Sequence, residues 1–160
     1  MILIPTKDIH LIEDKIKPLL MKSTDDITSH DMVTAEECIY RLKQGIYLLC
    51  TSNELEFFVI VSIIKQKSNN ILNVVVMFGK NMVKHYLDFD KHLVEFAIFN
   101  KCSKIFIQAR PGVARFAKKI GYEEVKYKYK HIPMVKAIGD STQVFAQGED
   151  AFSAEPRSNS

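Results

Sequence analysis

HLVEFAIFNKCSKIFIQARPGVARFAKKIGY, residues 92–122, decides the fold. Leu93, Phe96 and Ala97 recur at helical spacing, with Asn100 or Lys101 one turn further on, whereas Ile105, Phe106 and Ile107 form a short β-rich run between polar ends. Pro111 and Gly121 bracket a two-turn helix over 113–120. Proline suits a first turn, where its missing N–H has no partner anyway, and glycine accepts the left-handed backbone past a helix end. Helix, buried strand, sharp corner and short helix, in that order, make a βα-type half-domain.

Upstream, 46–51, 54–65 and 71–78 are β-branched and aromatic, with Ser52-Asn53 and Ser68-Asn69-Asn70 between them, which predicts three antiparallel strands. The helix that follows is expected to begin near Asp88 or Asp90, either of which can cap it. Thr34-Ala35-Glu36-Glu37 matches a capping box, so a helix is expected over 35–44, closed by Gly45. Ile9, Ile12, Ile16, Leu19 and Leu20 keep helical spacing behind Asp8 as cap, with Pro18 in the last turn. The polar stretch 22–31, opened by Lys22 and closed by Asp31, reads as a loop. Downstream, 123–132 alternates Val125, Tyr127, Tyr129 and His131 with Glu124, Lys126, Lys128 and Lys130, the pattern of one strand with a wet face. Phe57, Val59, Val61, Val74, Val76, Phe96, Ile105, Ile107 and Phe116 are the expected core. A single domain is expected over 1–138, and 139–160 turn polar, as a flexible tail would.

The 160 residues carry a net charge of +3, with lysines spread along the chain, so weak attraction to phosphate is expected but no specific nucleic-acid partner. Cys38, Cys50 and Cys102 are widely spaced and without a C-x-x-C pair, as buried thiols in a reducing compartment would be. The Met-Ile-Leu-Ile start is broken at Pro5, too short for a signal core or a membrane span, and a soluble product of the cytoplasm is expected. His85, His92 and His131 have no helical i, i+4 partner and no acid cluster nearby in sequence, so no metal site is expected.

Residues 113–122, VARFAKKIGY, resemble the end of a helix in the GCN5-related N-acetyltransferase superfamily, through Arg115, Phe116, Lys119, Ile120, Gly121 and the aromatic Tyr122. The resemblance implies an α/β fold: a mixed, mostly antiparallel sheet of about five or six strands with helices on both faces. It also implies that the sheet opens as a V beside Gly79, where acetyl coenzyme A would enter. A narrower likeness, carried by Gly79-Lys80-Asn81 and Arg110-Pro111-Gly112, is to small tailed-phage proteins of this fold. That likeness implies an internal virion or morphogenesis protein of a podovirus, made in the host cytoplasm and carried into the virion.

In the superfamily a strand-to-helix turn with two glycines cradles the pyrophosphate of the cofactor on backbone N–H groups. The corresponding residues here are Phe78, Gly79, Lys80, Asn81, Met82 and Lys84, with Arg110 as a further phosphate ligand, a partner-carboxylate ligand or a corner salt bridge. Only one glycine is present, and Gly79→Val is expected to abolish cofactor binding with the fold largely intact. Ala117 stands where the resemblance implies a tyrosine acid, and residues 71–77 contain no acid to serve as base. Substitutes are Tyr86 or Tyr122 as acid and Glu54 or Glu56 as base. The competing reading makes Tyr122 a core aromatic and the two glutamates the lining of a solvated turn.

Two functions follow. One is an acetyl-coenzyme-A-dependent N-acetyltransferase acting on an amine of a protein or small molecule. The other, which the missing catalytic residue types favour, is a catalytically degenerate member acting in phage particle assembly. Its contacts to other phage structural proteins would run through the tail or the stretch from Lys22 to Asp31.

Overall fold

The structure is a computed structural model and describes residues 1–24, 33–109, 111–125 and 132–138. The element order is β1 (Ile2–Ile4), a 3-10 turn (Thr6–Asp8), α1 (Ile9–Thr24), α2 (Ala35–Gln44), β2 (Leu48–Thr51), β3 (Phe57–Lys65) and β4 (Asn70–Gly79). There follow α3 (Met82–Phe99), β5 (Cys102–Ala109), α4 (Pro111–Lys119), β6 (Glu123–Glu124) and β7 (Ile132–Ala137). The seven strands form one sheet in the order β1-β2-β3-β4-β5-β7-β6. Pairing is antiparallel at β1–β2, β2–β3, β5–β7 and β6–β7, and parallel at β4–β5 from Asn70↔Cys102 to Asn73↔Phe106. The mixed, mostly antiparallel α/β architecture is therefore as expected, with more strands than expected.

The described chain forms two compact units: Met1–Ser62 with Val75–Asp90, and Ile63–Val74 with the described residues from Lys91 on. In the first unit β3 is buried from Phe57 to Val61, on both of its faces. Phe58 and Ile60 face a cluster with Ile9, Ile16 and Leu20 of α1, Cys38, Ile39 and Leu42 of α2, and Phe78 of β4. On the other face Phe57 meets the first half of α3 edge-to-face at Phe89, with ring centroids 4.9 Å apart. Helices thus cover both faces of the central strand, which is why its sequence is a continuous apolar run. In the second unit β5 alternates burial, with Ile105, Ile107 and Ala109 inside, and pairs along Lys104–Ala109 with β7. Of the expected core, Phe57, Val59, Val61, Val74, Ile105 and Ile107 are buried, and Val76, Phe96 and Phe116 are half-buried.

Local rules account for the ends of α2. Thr34 Oγ1 accepts the Glu37 N–H at 3.1 Å, and Gly45, at φ +77°, lets the Ile46 N–H turn back to the Arg41 carbonyl. Glu37 does not complete the reciprocal half of the box; its carboxylate pairs with Arg41 one turn on, at 2.5 Å. All three cysteines are buried free thiols, each raised to about 12 by burial.

Several expectations need correcting. The helix α3 starts at Met82, leaving Asp88 and Asp90 in its interior, because the turn at Gly79 and Asn81 sets its start and no later cap is needed. Of the strand expected over 123–132, Glu123 and Glu124 form β6, which pairs antiparallel with β7 through Glu123↔Val135 and Glu124↔Met134, and Ile132 opens β7. The opening Ile-Leu-Ile forms the edge strand β1, and Lys22 to Thr24 end α1 rather than open a loop. Residues 25–31, Arg110, 126–131 with Tyr127, Tyr129 and His131, and 139–160 lie outside the described residues. No helix among the described residues is long and apolar enough to cross a membrane.

Replacing Thr34 with alanine removes the cap acceptor for the Glu37 amide. It is expected to lower stability by about 1 kcal/mol in urea denaturation, with an unchanged m-value.

Candidate functional site

Glu56 is the residue around which the start of α3 is arranged. It ends a turn fixed by Ser52, whose Oγ accepts the N–H groups of Glu56 and Phe57, both at 3.2 Å. The Leu55 N–H donates to the Ser52 carbonyl at 3.0 Å, with Leu55 itself in the left-handed region at φ +58°. This turn delivers Glu56 against the end of β4. The Lys80 N–H donates to the Glu56 carbonyl at 2.7 Å, and a Cβ on Gly79 would lie 2.2 Å from that same oxygen. With φ at +113° as well, position 79 admits only glycine. Its glycine is required by the chain's own backbone, crossing from the β2–β3 turn.

The Glu56 carboxylate then reaches over the first turn of α3. Its Oε1 accepts from Asn81 Nδ2 at 3.3 Å, lies 2.6 Å from His85 Nε2 and 3.9 Å from Lys84 Nζ. Asn81, in the left-handed region at φ +57°, also supplies the carbonyl that accepts the His85 N–H at 3.1 Å. The hydrogen bonds from His85, first, and Asn81 hold the Glu56 carboxyl below the usual glutamate range, so it is ionised at neutral pH. An ionised carboxylate only accepts, so His85 Nε2 carries the proton of this contact. The His85 side chain is 10% exposed and its ring lies parallel to that of Phe57, with centroids 5.9 Å apart. Its other nitrogen, Nδ1, lies 3.9 Å from Oε1 of Glu54, which is exposed.

The fold therefore brings Glu54, Glu56, Gly79, Lys80, Asn81 and Lys84 into one place. Phe78 is buried and stacks on Phe58 at 5.2 Å, which makes it a core residue. Met82 is half-buried, and Lys80, Asn81 and Lys84 are exposed. Tyr86 is buried. Tyr122 is buried in the second unit, beneath Lys136 Nζ at 4.9 Å from its ring centre, and Ala117 is fully buried there too. Arg110 lies outside the described residues.

His85 corrects the expectation that no acid cluster lies near a histidine. Glu56 is 29 positions away in sequence, so no local spacing carries the pairing. A signal existed in the i, i+4 recurrence of Asn81, just before α3, with His85 and Phe89 on it.

No protein-family model and no curated protein matches the sequence. Solved structures do. An aminoglycoside 6'-acetyltransferase of type Ii aligns over 86% of this chain and 97% of its own with a TM-score of 0.63 at 15% identity. An aminoglycoside 6'-N-acetyltransferase complexed with coenzyme A gives 0.62 over the same shares at 13% identity. The N-acyl amino acid synthase FeeM, from uncultured soil microbes, gives 0.61 at 8% identity over 86% of this chain and 89% of its own. At these identities the likeness establishes the scaffold, and the chain has the GCN5-related N-acetyltransferase fold.

Two consequences can be measured. Gly79→Val, read from sequence as harmless to the fold, is expected to cost more than about 2 kcal/mol in urea denaturation, or to prevent folding. Lys80→Ala, at an exposed side chain, should stay within about 0.5 kcal/mol. Because the folded-state pKa of Glu56 is depressed, its contribution is complete above the ordinary glutamate value of 4.5 and is lost as pH falls through the lower folded value. Glu56→Gln should therefore flatten the acid limb of the stability profile below pH 4.5 while leaving its shape near neutrality unchanged.

Proposed function

We propose that this chain uses the acetyltransferase scaffold as an interaction module in the assembly of a tailed-phage particle, as an internal virion or morphogenesis protein, without transferring acetyl groups. The observation that carries the non-catalytic half is the Gly79-Lys80 turn. A pyrophosphate cradle needs a glycine whose open side faces the ligand and amides that point at it. Here the open side of Gly79 faces the Glu56 carbonyl at 2.2 Å from where a Cβ would stand, and the Lys80 amide already donates to that carbonyl. The ionised Glu56 carboxylate beside Lys84 further opposes an anion at the same helix start. These residues do not fit the cofactor as a two-glycine turn would.

Residue types agree with this reading. Residues 71–77 of β4 hold no acid, and Ala117, buried at the position of the tyrosine acid, has no proton to give. The phage context rests on the likeness carried by Gly79-Lys80-Asn81 and Arg110-Pro111-Gly112. Partner contacts are assigned to residues 22–31 and 139–160.

One feature favours the second reading, an active acetyl-coenzyme-A-dependent N-acetyltransferase. Lys80 and Lys84 are exposed at the start of α3, where they would neutralise phosphate, and structural neighbours include enzymes solved with coenzyme A. Calorimetric titration of the purified protein with acetyl coenzyme A separates the two, with dephospho coenzyme A as control. No heat of binding at millimolar ligand is expected. Micromolar affinity, weakened by neutralising Lys80 and Lys84, would overturn the non-catalytic reading and call for an acceptor screen.

A further inference from the structure

His85 has one ring nitrogen engaged and one open. Glu56 accepts the Nε2 N–H at 2.6 Å, which leaves Nδ1 for a second partner. That nitrogen has no hydrogen-bond partner among the described residues, although the side chain is nine-tenths buried. Oε1 of Glu54 lies 3.9 Å from it, too far for a direct hydrogen bond. A ring nitrogen and a carboxylate oxygen at this distance leave room for a cation that both can ligate.

We infer that Glu54 and His85 form a binding site for a divalent transition-metal cation of the zinc or cobalt class, with Glu56 as the supporting carboxylate. Metal–imidazole and metal–carboxylate bonds of about 2.0–2.2 Å place the two donor atoms about 3.4 Å apart at a tetrahedral angle and about 4 Å apart when opened toward a line. The 3.9 Å separation lies inside that span, and the exposed Glu54 side chain can close the difference by rotation. Donor atoms of Glu54, Glu56 and His85 all lie within 4.8 Å of one another.

The surroundings match what a metal-bound histidine needs. A ligating imidazole donates its other N–H to a carboxylate, which fixes the tautomer and the ring plane, and Glu56 does this at 2.6 Å. Phe57 stacks on the ring, and Phe89 packs edge-on behind Phe57, so the imidazole plane is held by packing. Lys84 lies on the Glu56 side, 3.9 Å from its carboxylate, where it balances the supporting charge. Glu54 is on the open side, which leaves the remaining coordination positions to water or to a donor from a partner. Imidazole with carboxylate suits zinc and cobalt better than calcium or magnesium, which prefer oxygen alone.

The test is a titration of tag-free, chelator-treated full-length protein with cobalt(II), read by its visible absorption, followed by displacement with zinc. One saturable equivalent is expected, at least about tenfold weaker in Glu54→Gln and in Glu56→Gln, with both variants folded by circular dichroism. Nitrogen-15 spectra of the zinc-saturated protein should show His85 Nδ1 shifted and Nε2 still protonated. The inference is overturned if no saturable equivalent binds, or if Glu54→Gln binds as tightly as the parent, which would assign the metal to other histidines. It is overturned equally if zinc leaves the His85 resonances unmoved, in which case a proton alone fills the gap.

Discussion

The contact between the Glu56 carbonyl and the Gly79-Lys80 backbone sets much of the first unit. The carbonyl occupies the space a side chain at 79 would need, and it takes the Lys80 amide at 2.7 Å. That contact fixes where β4 ends and where α3 begins. It also determines which α3 residues meet the β2–β3 turn: Asn81 and Lys84 beneath the Glu56 carboxylate, and His85 between Glu56 and Glu54. Phe57, next along the chain, then meets His85 and Phe89 by ring packing. A buried, doubly flanked histidine is a consequence of where one backbone oxygen sits.

The same contact separates scaffold from chemistry. Strand-to-helix turns of this kind bind phosphate only when their amides and their glycine faces are open to a ligand. Here the Glu56 carbonyl faces Gly79 and takes the Lys80 amide, and the ionised Glu56 carboxylate lies over the start of α3. Residues 71–77 of β4 hold no acid, and Ala117 is buried in the second unit. The fold is shared with aminoglycoside acetyltransferases, and a scaffold does not by itself carry an activity.

Much of the architecture is written in local patterns. The capping box and Gly45 delimit α2 to the residue, the continuous apolar run of β3 reflects burial on both faces, and Pro111 opens α4. What failed were boundaries set by non-local events. Asp88 and Asp90 looked like caps because a start at Met82 depends on Asn81 holding a left-handed conformation beside Glu56. The alternation over 123–132 read as one strand, because period-two patterning cannot reveal that Glu123 and Glu124 pair back onto Val135 and Met134. At the site, Gly79, Lys80, Asn81, Lys84, Glu54 and Glu56 were all legible as candidates, though from a cofactor argument that did not foresee the contact of Gly79 with the Glu56 carbonyl. His85 was not legible, since its partners come from a turn that only the sheet brings near.

The Gly79-Lys80 turn is closed on the chain itself. Amide hydrogen exchange at Lys80, followed by NMR with and without acetyl coenzyme A, tests it most directly. A closed turn gives a Lys80 amide slowed at least about a hundredfold against an unstructured chain and unaffected by the cofactor. A Lys80 amide that exchanges as freely as an open loop, or that becomes protected only when acetyl coenzyme A is added, would contradict the account.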